Sequence, residues 1–170
     1  MSDWYFAPLR ATVAALVAHD STRQIAVGVV LGAILGLLPK ATLLAAIFAF
    51  ALAAFRVNRA AGLASAGFFA MLTPWLDPLL HAVGFRVLAA PSLQSSFAWL
   101  YDLPLGPWMG FHNSVAMGSL LVGLYIAYPL YLAVRSLLDR VRPRLVSWVM
   151  KYRVARVLLG ADVASRWGAL

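Results

Sequence analysis

The chain has 170 residues, of which 63% are apolar and only 12% charged, with a mean hydropathy of +0.83. An ordinary soluble domain is about 45–50% apolar and about 25% charged, and a chain this short keeps a large share of its area outside. The composition therefore argues against a soluble enzyme, a disordered regulator or a secreted disulfide scaffold, and for an integral membrane protein.

The charge is lopsided. Fourteen Lys and Arg stand against six acids, all of them Asp, for a net charge of +8. Six of those eight units lie in one stretch, where Arg135, Arg140, Arg142, Arg144, Lys151, Arg153 and Arg156 face Asp139 alone. That stretch follows the longest uncharged run, 103–134. A basic cluster abutting an apolar span is the positive-inside pattern of a cytoplasmic anchor on anionic lipid, not a nucleic-acid face. The absence of cysteine removes disulfides, thiol catalysis and thiolate metal sites. The early acid Asp3 and the late start of the first long apolar run, near Ile25, do not read as a cleaved signal peptide.

Three regions follow in chain order: an N-terminal segment 1–22, a membrane domain 23–135 and a basic amphipathic tail 136–170. In the first, Leu9, Val13, Leu16 and Val17 recur at helical spacing and predict an amphipathic helix lying on the headgroups. Residues 24–55 form an apolar block with one internal charge, Lys40, just after Pro39. Each half is about 15–16 residues, or roughly 24 Å as helix, short of a hydrocarbon core about 30 Å thick. The block is either a re-entrant hairpin with Pro39 and Lys40 at its tip or two thin spans. Gly28, Gly32 and Gly36 leave one helix face nearly bare backbone, which predicts a close helix-packing seam.

Arg56 and Arg59 bracket a polar break that fits the cytoplasmic side. Residues 60–85 are apolar again, interrupted by Pro74 and Pro78, and predict a second proline-broken segment. The triplets Phe55-Arg56-Val57 and Phe85-Arg86-Val87 hint at a weak internal repeat. Residues 87–111, with three prolines and Trp99, Tyr101 and Trp108, predict short interfacial pieces rather than a span. Residues 113–134 are 22 positions without charge, the clearest transmembrane helix, with a kink expected at Pro129. Residues 145–159 predict a basic amphipathic helix on the inner leaflet. Parity of crossings then puts both termini in the cytoplasm, with Arg86 snorkelling at the far interface.

Few ionisable groups remain inside the apolar blocks, and such groups are costly and functionally suspect. Asp77 and His81 are i, i+4 neighbours on one helical face, with a proline on each side of Asp77. They form either a proton or ion relay, or a cap on a broken helix in which Asp77 pairs with His81 or an arginine. Lys40 either attracts an anionic headgroup or marks a turn reaching the interface. Asn113 or Ser114 is expected to cap the last span, and His112 has no partner visible in sequence. Lys40, Asp77 and His81, with Pro39, Pro74 and Pro78, are the candidates for a substrate or ion path. HExxH, P-loop, GxGxxG and Gly-x-Ser-x-Gly motifs are all missing. No enzyme activity, metal or cofactor is expected.

In order, the elements Gly36-Leu37-Leu38-Pro39-Lys40, Arg56-Val57-Asn58 and Leu76-Asp77-Pro78-Leu79, within a match over about 23–135, resemble the bacterial membrane-protein domain-of-unknown-function family twenty sixty-two, in the branch restricted to bacteria with outer membranes. The resemblance implies an inner-membrane location and pairing with a larger envelope protein encoded beside it. It supplies no activity. The wider family usually has Asn where this chain has Asp77, so no acid–base role carries over.

The expected fold is an all-α integral membrane protein, with proline-broken or re-entrant hairpins, full transmembrane helices and interfacial helices at both ends. The expected function is a membrane-embedded component of an envelope lipid or amphiphile transport system. The alternatives are a stand-alone solute or ion transporter, alone or as a homo-oligomer, and a non-catalytic anchor.

Overall fold

The structure, a computed structural model, describes residues 21–151, with side chains through residue 141. Among the described residues it is all-helical: α1 (Thr22–Leu37), α2 (Leu43–Ala54), α3 (Arg59–Leu88), a 3-10 turn (Pro91–Leu93), α4 (Gln94–Asp102), α5 (Gly106–Met109) and α6 (Ser114–Lys151). Two of these, α3 and the Ser114–Val141 part of α6, are long and apolar enough to cross a membrane. The expected N-terminal interfacial helix, built on Leu9, Val13, Leu16 and Val17, and the chain after Lys151 lie outside the described residues.

The helix starts are legible in local chemistry. The Ser21 hydroxyl accepts from Gln24 N–H (3.2 Å) while Gln24 Oε1 accepts from Ser21 N–H (2.9 Å), a reciprocal capping box. Thr42 caps α2 through Ala45 N–H (3.3 Å), and Asn58 caps α3 through Ala61 N–H (2.7 Å). Asn113 Oδ1 accepts from Val115 and Ala116 N–H (2.8 and 3.3 Å), which makes it the cap of α6.

Helices α1 and α2 form a hairpin that reaches about halfway along α3. The Asn58 N–H donates to Gln24 O (3.2 Å), so the hairpin begins and ends at the same end of the bundle. Its far end is fixed by Thr73, whose hydroxyl lies 3.3 Å from Gly36 O, near the midpoint of α3. The lengths agree. At 1.5 Å per residue the 16 residues of α1 span about 24 Å and the 30 of α3 about 45 Å.

The expected glycine seam is present and its partner is α3. A Cβ at Gly28 would meet Asn58 O at 2.5 Å, one at Gly32 would overlap Gly62 O, and one at Gly36 would meet Ala66 O at 2.6 Å. The contacts advance four residues at a time on both helices, so α1 and the first half of α3 run parallel with backbones touching. Ser65 Oγ adds a hydrogen bond to Val29 O across this seam (2.8 Å). A second seam joins α3 to α6 in the opposite sense: Gly84 lies against Ser114 O, and Gly118 against Leu80 O. Ile34, Leu38, Leu44 and Ala45 form a buried cluster on the hairpin, against which Met109, Phe111 and Leu120 pack.

Gly67 is the contrast. Nothing lies within 4 Å of where its Cβ would be. Gly67→Ala is expected to raise stability by about 0.5–1 kcal/mol, the helix-interior cost of glycine. A melting curve in mild detergent that shifts downward would count against the seam assignment.

Three expectations are corrected. The 60–85 block is not proline-broken, because α3 is one helix with Pro74 and Pro78 inside it. Both rings lie on its exposed face, away from the seams with α1 and α6. Asp77 is accordingly a mid-helix residue, not a cap. The two Phe-Arg-Val triplets occupy unlike places, the first in the break after α2 and the second in the last turn of α3, so they mark no structural repeat. In addition, α6 runs through Pro129 and on to Lys151, so the start of the expected tail helix is its direct continuation.

After α3 ends at Leu88, residues 91–109 are short helical pieces, as the prolines and aromatics there indicate. Gly110 turns the chain with φ 79°, tight against the Thr42 methyl (2.8 Å from a would-be Cβ), and brings Met109 and Phe111 onto the hairpin.

Candidate functional site

The hairpin tip is a self-contained polar unit. Pro39 has no N–H, so the carbonyl of Leu35, four residues earlier, loses its intrahelical donor. Lys40 supplies the replacement. Its ammonium donates to Leu35 O (2.6 Å), Gly36 O (2.8 Å) and Leu38 O (2.9 Å). An ammonium has three N–H bonds, and all three are taken. A cation at a helix C-terminus is also favoured by the macrodipole. Pro39 and Lys40 therefore act as a pair, one ending α1 and the other closing its last carbonyls. These hydrogen bonds make Lys40 part of the turn that ends α1.

Gly36 O joins the tip to α3, because it accepts from Lys40 and also lies within reach of the Thr73 hydroxyl. Thr73 has Phe69 O as its second acceptor (2.9 Å). One turn further along the same face of α3 comes Asp77. Its Oδ1 is buried and has no hydrogen-bond partner among the described residues. Leu80, three residues on and fully buried, presses its carbonyl against Gly118. Beside Gly118 is Ser119, also fully buried, whose hydroxyl is the second orphan. Both unsatisfied atoms thus belong to residues flanking one helix contact between α3 and α6. A buried polar group without a partner costs about 1–3 kcal/mol, more for a charged one, and calls for an explanation.

His81 does not join Asp77. Its Nδ1 shares a 2.6 Å hydrogen bond with Ser114 Oγ on α6, and its ring stacks on Phe85 at 6.0 Å. His112 packs edge-on against Tyr101 at 5.9 Å. Among the described residues there is no group of three His, Cys, Asp or Glu that could hold a metal ion.

The structure therefore brings Lys40 and Pro39 together, links them to α3 through Thr73, sets Asp77 one turn away and sends His81 to another helix. Pro74 and Pro78 flank Asp77 on the outer face. Sequence reasoning missed Thr73, Ser119 and the partner glycines Gly62, Gly84 and Gly118. The four-residue spacing of Gly62, Ala66 and Ala70 matched that of the first seam and was the available signal. Arg56, Arg59 and Arg140 are exposed. Arg142, Arg144 and Lys151 lie on the α6 backbone, their side chains outside the described residues, as are Arg153 and Arg156 altogether.

No family model and no solved structure matches the chain. Over 102 residues it is 33% identical to an uncharacterized protein of Treponema pallidum (strain Nichols), a match covering 59% of this chain and 62% of that protein. The chain thus spans about three-fifths of the length of this relative.

Proposed function

We propose that the chain is the membrane-embedded component of a system that moves a lipid or other amphiphile across the bacterial envelope, in partnership with a larger protein. In this reading it sits in the inner membrane with α3 and α6 as its spans, and the α1–α2 hairpin enters from the cytoplasmic side and returns. Both termini are cytoplasmic. Arg23, Arg56 and Arg59 at the starts of α1 and α3, and Arg135 and Arg140 far along the antiparallel α6, then all face the cytoplasm. The family twenty sixty-two resemblance favours the same placement.

One observation carries the transport reading: the unpartnered oxygen of Asp77, one turn along α3 from the Thr73 contact with the hairpin. An ionisable group held inside an apolar span without a structural partner is expensive, and it is explained if the group is partnered during the working cycle by a polar headgroup or its counter-ion. Half-depth elements meeting near the midplane are where transporters place such sites. A relay through His81 has less support, because His81 is engaged by Ser114.

Asp77→Leu is expected to insert and melt like the parent or slightly better, since it removes an unsatisfied group. It should nonetheless fail to restore movement of radiolabelled phospholipid between the two membranes in a deletion strain. Full restoration by this variant would overturn the transport reading and leave the anchor role.

A further inference from the structure

Helices α1 and α3 begin side by side, and Asn58 is the reason. It is 5% exposed, its Oδ1 caps α3, and its N–H donates to Gln24 O at 3.2 Å. Arg23 precedes Gln24, while Arg56 and Arg59 flank Asn58. Three arginines from segments over thirty residues apart in sequence thus have their backbone positions at one corner of the bundle. All three are exposed. None has a carboxylate within 4.0 Å among the described residues, where the ion pair is Arg135–Asp139 on α6. The first turns of α1 and α3 contain no acidic residue. By sequence Asp20 is the nearest acid, which still leaves this corner net positive.

The two parallel helices add their dipoles to this charge, each placing about half a positive unit at the same end. Arginines at helix N-termini oppose the dipole, so the corner gains from an anion. The surroundings indicate which one. Phe55, next to Arg56, is 60% exposed, and Leu63, one turn along α3 from Arg59, is 64% exposed. Charge and bare apolar surface are adjacent, so one molecule with a phosphate and an acyl chain satisfies both.

We propose that Arg23, Arg56 and Arg59 bind the phosphate of an anionic phospholipid whose acyl chains lie on Phe55 and Leu63. The site rests on the reading of α3 and α6 as membrane spans and adds to it a selective headgroup contact. Arginine suits this role because its planar fork can grip phosphate oxygens in pairs.

The test uses the full chain in phosphatidylcholine vesicles containing a minority of phosphatidylglycerol. Spin-labelled versions of each lipid report which one is held at the protein surface. The parent should prefer phosphatidylglycerol, and Arg23→Gln/Arg56→Gln/Arg59→Gln should lower that preference at least about fivefold, the equivalent of one arginine near an anionic surface. Arg86→Gln, at the other end of α3, should leave it unchanged. If the triple variant does not insert, Arg56→Gln alone carries the comparison.

An unchanged preference in the arginine variant, or an equal loss in Arg86→Gln, would overturn the site. So would displacement of the labelled lipid by millimolar inorganic phosphate, which would assign the corner to the free anion. Failure of the parent chain to float with the vesicles would instead overturn the membrane reading beneath it.

Discussion

Replacing Gly32 with valine is expected to destroy the α1–α3 seam and with it the folded bundle. The added Cβ would overlap the carbonyl oxygen of Gly62 and crowd its Cα. These are backbone atoms of a helix pinned on both sides, by Asn58 to Gln24 below and by Ser65 to Val29 and Thr73 to Gly36 above. A flexible side chain could move aside, but here a whole helix must shift. Ordinary over-packing costs about 1–3 kcal/mol, and this substitution belongs at or beyond the upper end, because close backbone approach is what holds such helices together in an apolar medium. Thermal melting of purified protein in mild detergent, with Gly67→Ala as the harmless companion, should show the valine variant aggregated or melting far below the parent. Coincident curves would refute the seam.

The second large effect is expected from Lys40→Met, which keeps the aliphatic stem and deletes the three donors. Leu35 O would then have no donor from Pro39 and none from residue 40, and Gly36 O would retain only the weaker contact with Thr73. Hydrogen bonds to a charged group contribute about 1.5–3 kcal/mol. A combined loss of at least about 2 kcal/mol is the expectation. The signature is local, with faster amide hydrogen exchange over 35–45 and little change in α6. Lys40→Arg should recover part of the protection, since a guanidinium also offers donors to carbonyls. Uniform exchange behaviour in all three proteins would mean that the lysine does not hold the tip.

Much of this architecture is written in residue spacing. The four-residue rhythm of Gly28, Gly32 and Gly36 announces a close-packed face, Pro39 announces the end of α1, and the proline and aromatic content of 87–111 announces short pieces. What spacing does not reveal is the partner. The face opposite the glycines belongs to α3, and nothing in 22–37 points to Asn58, Gly62 and Ala66. Pro74 and Pro78 mislead for a related reason. Locally each proline removes a hydrogen bond and predicts a break, yet flanking helices on the opposite face can keep such a helix continuous. Asp77 and His81 share a helical face in sequence, but His81 has a closer partner in Ser114, a residue 33 positions away. Side-chain pairing of that kind is set by the crossing of α3 with α6 and cannot be read from either helix alone.

The absence of cysteine gives the clearest test of the proposed re-entrant hairpin, on which both the proposed membrane topology and the proposed transport site depend. Single variants Ser21→Cys, Ala41→Cys, Phe55→Cys and Gln94→Cys can be labelled in oriented membrane vesicles with a membrane-impermeant maleimide applied from one side at a time. The hairpin predicts that positions 21 and 55 label from the cytoplasmic side, position 94 labels from the opposite side, and position 41 labels from neither until detergent is added. Labelling of position 41 from the same side as position 94 would contradict it, because residues 24–55 would then cross the membrane twice.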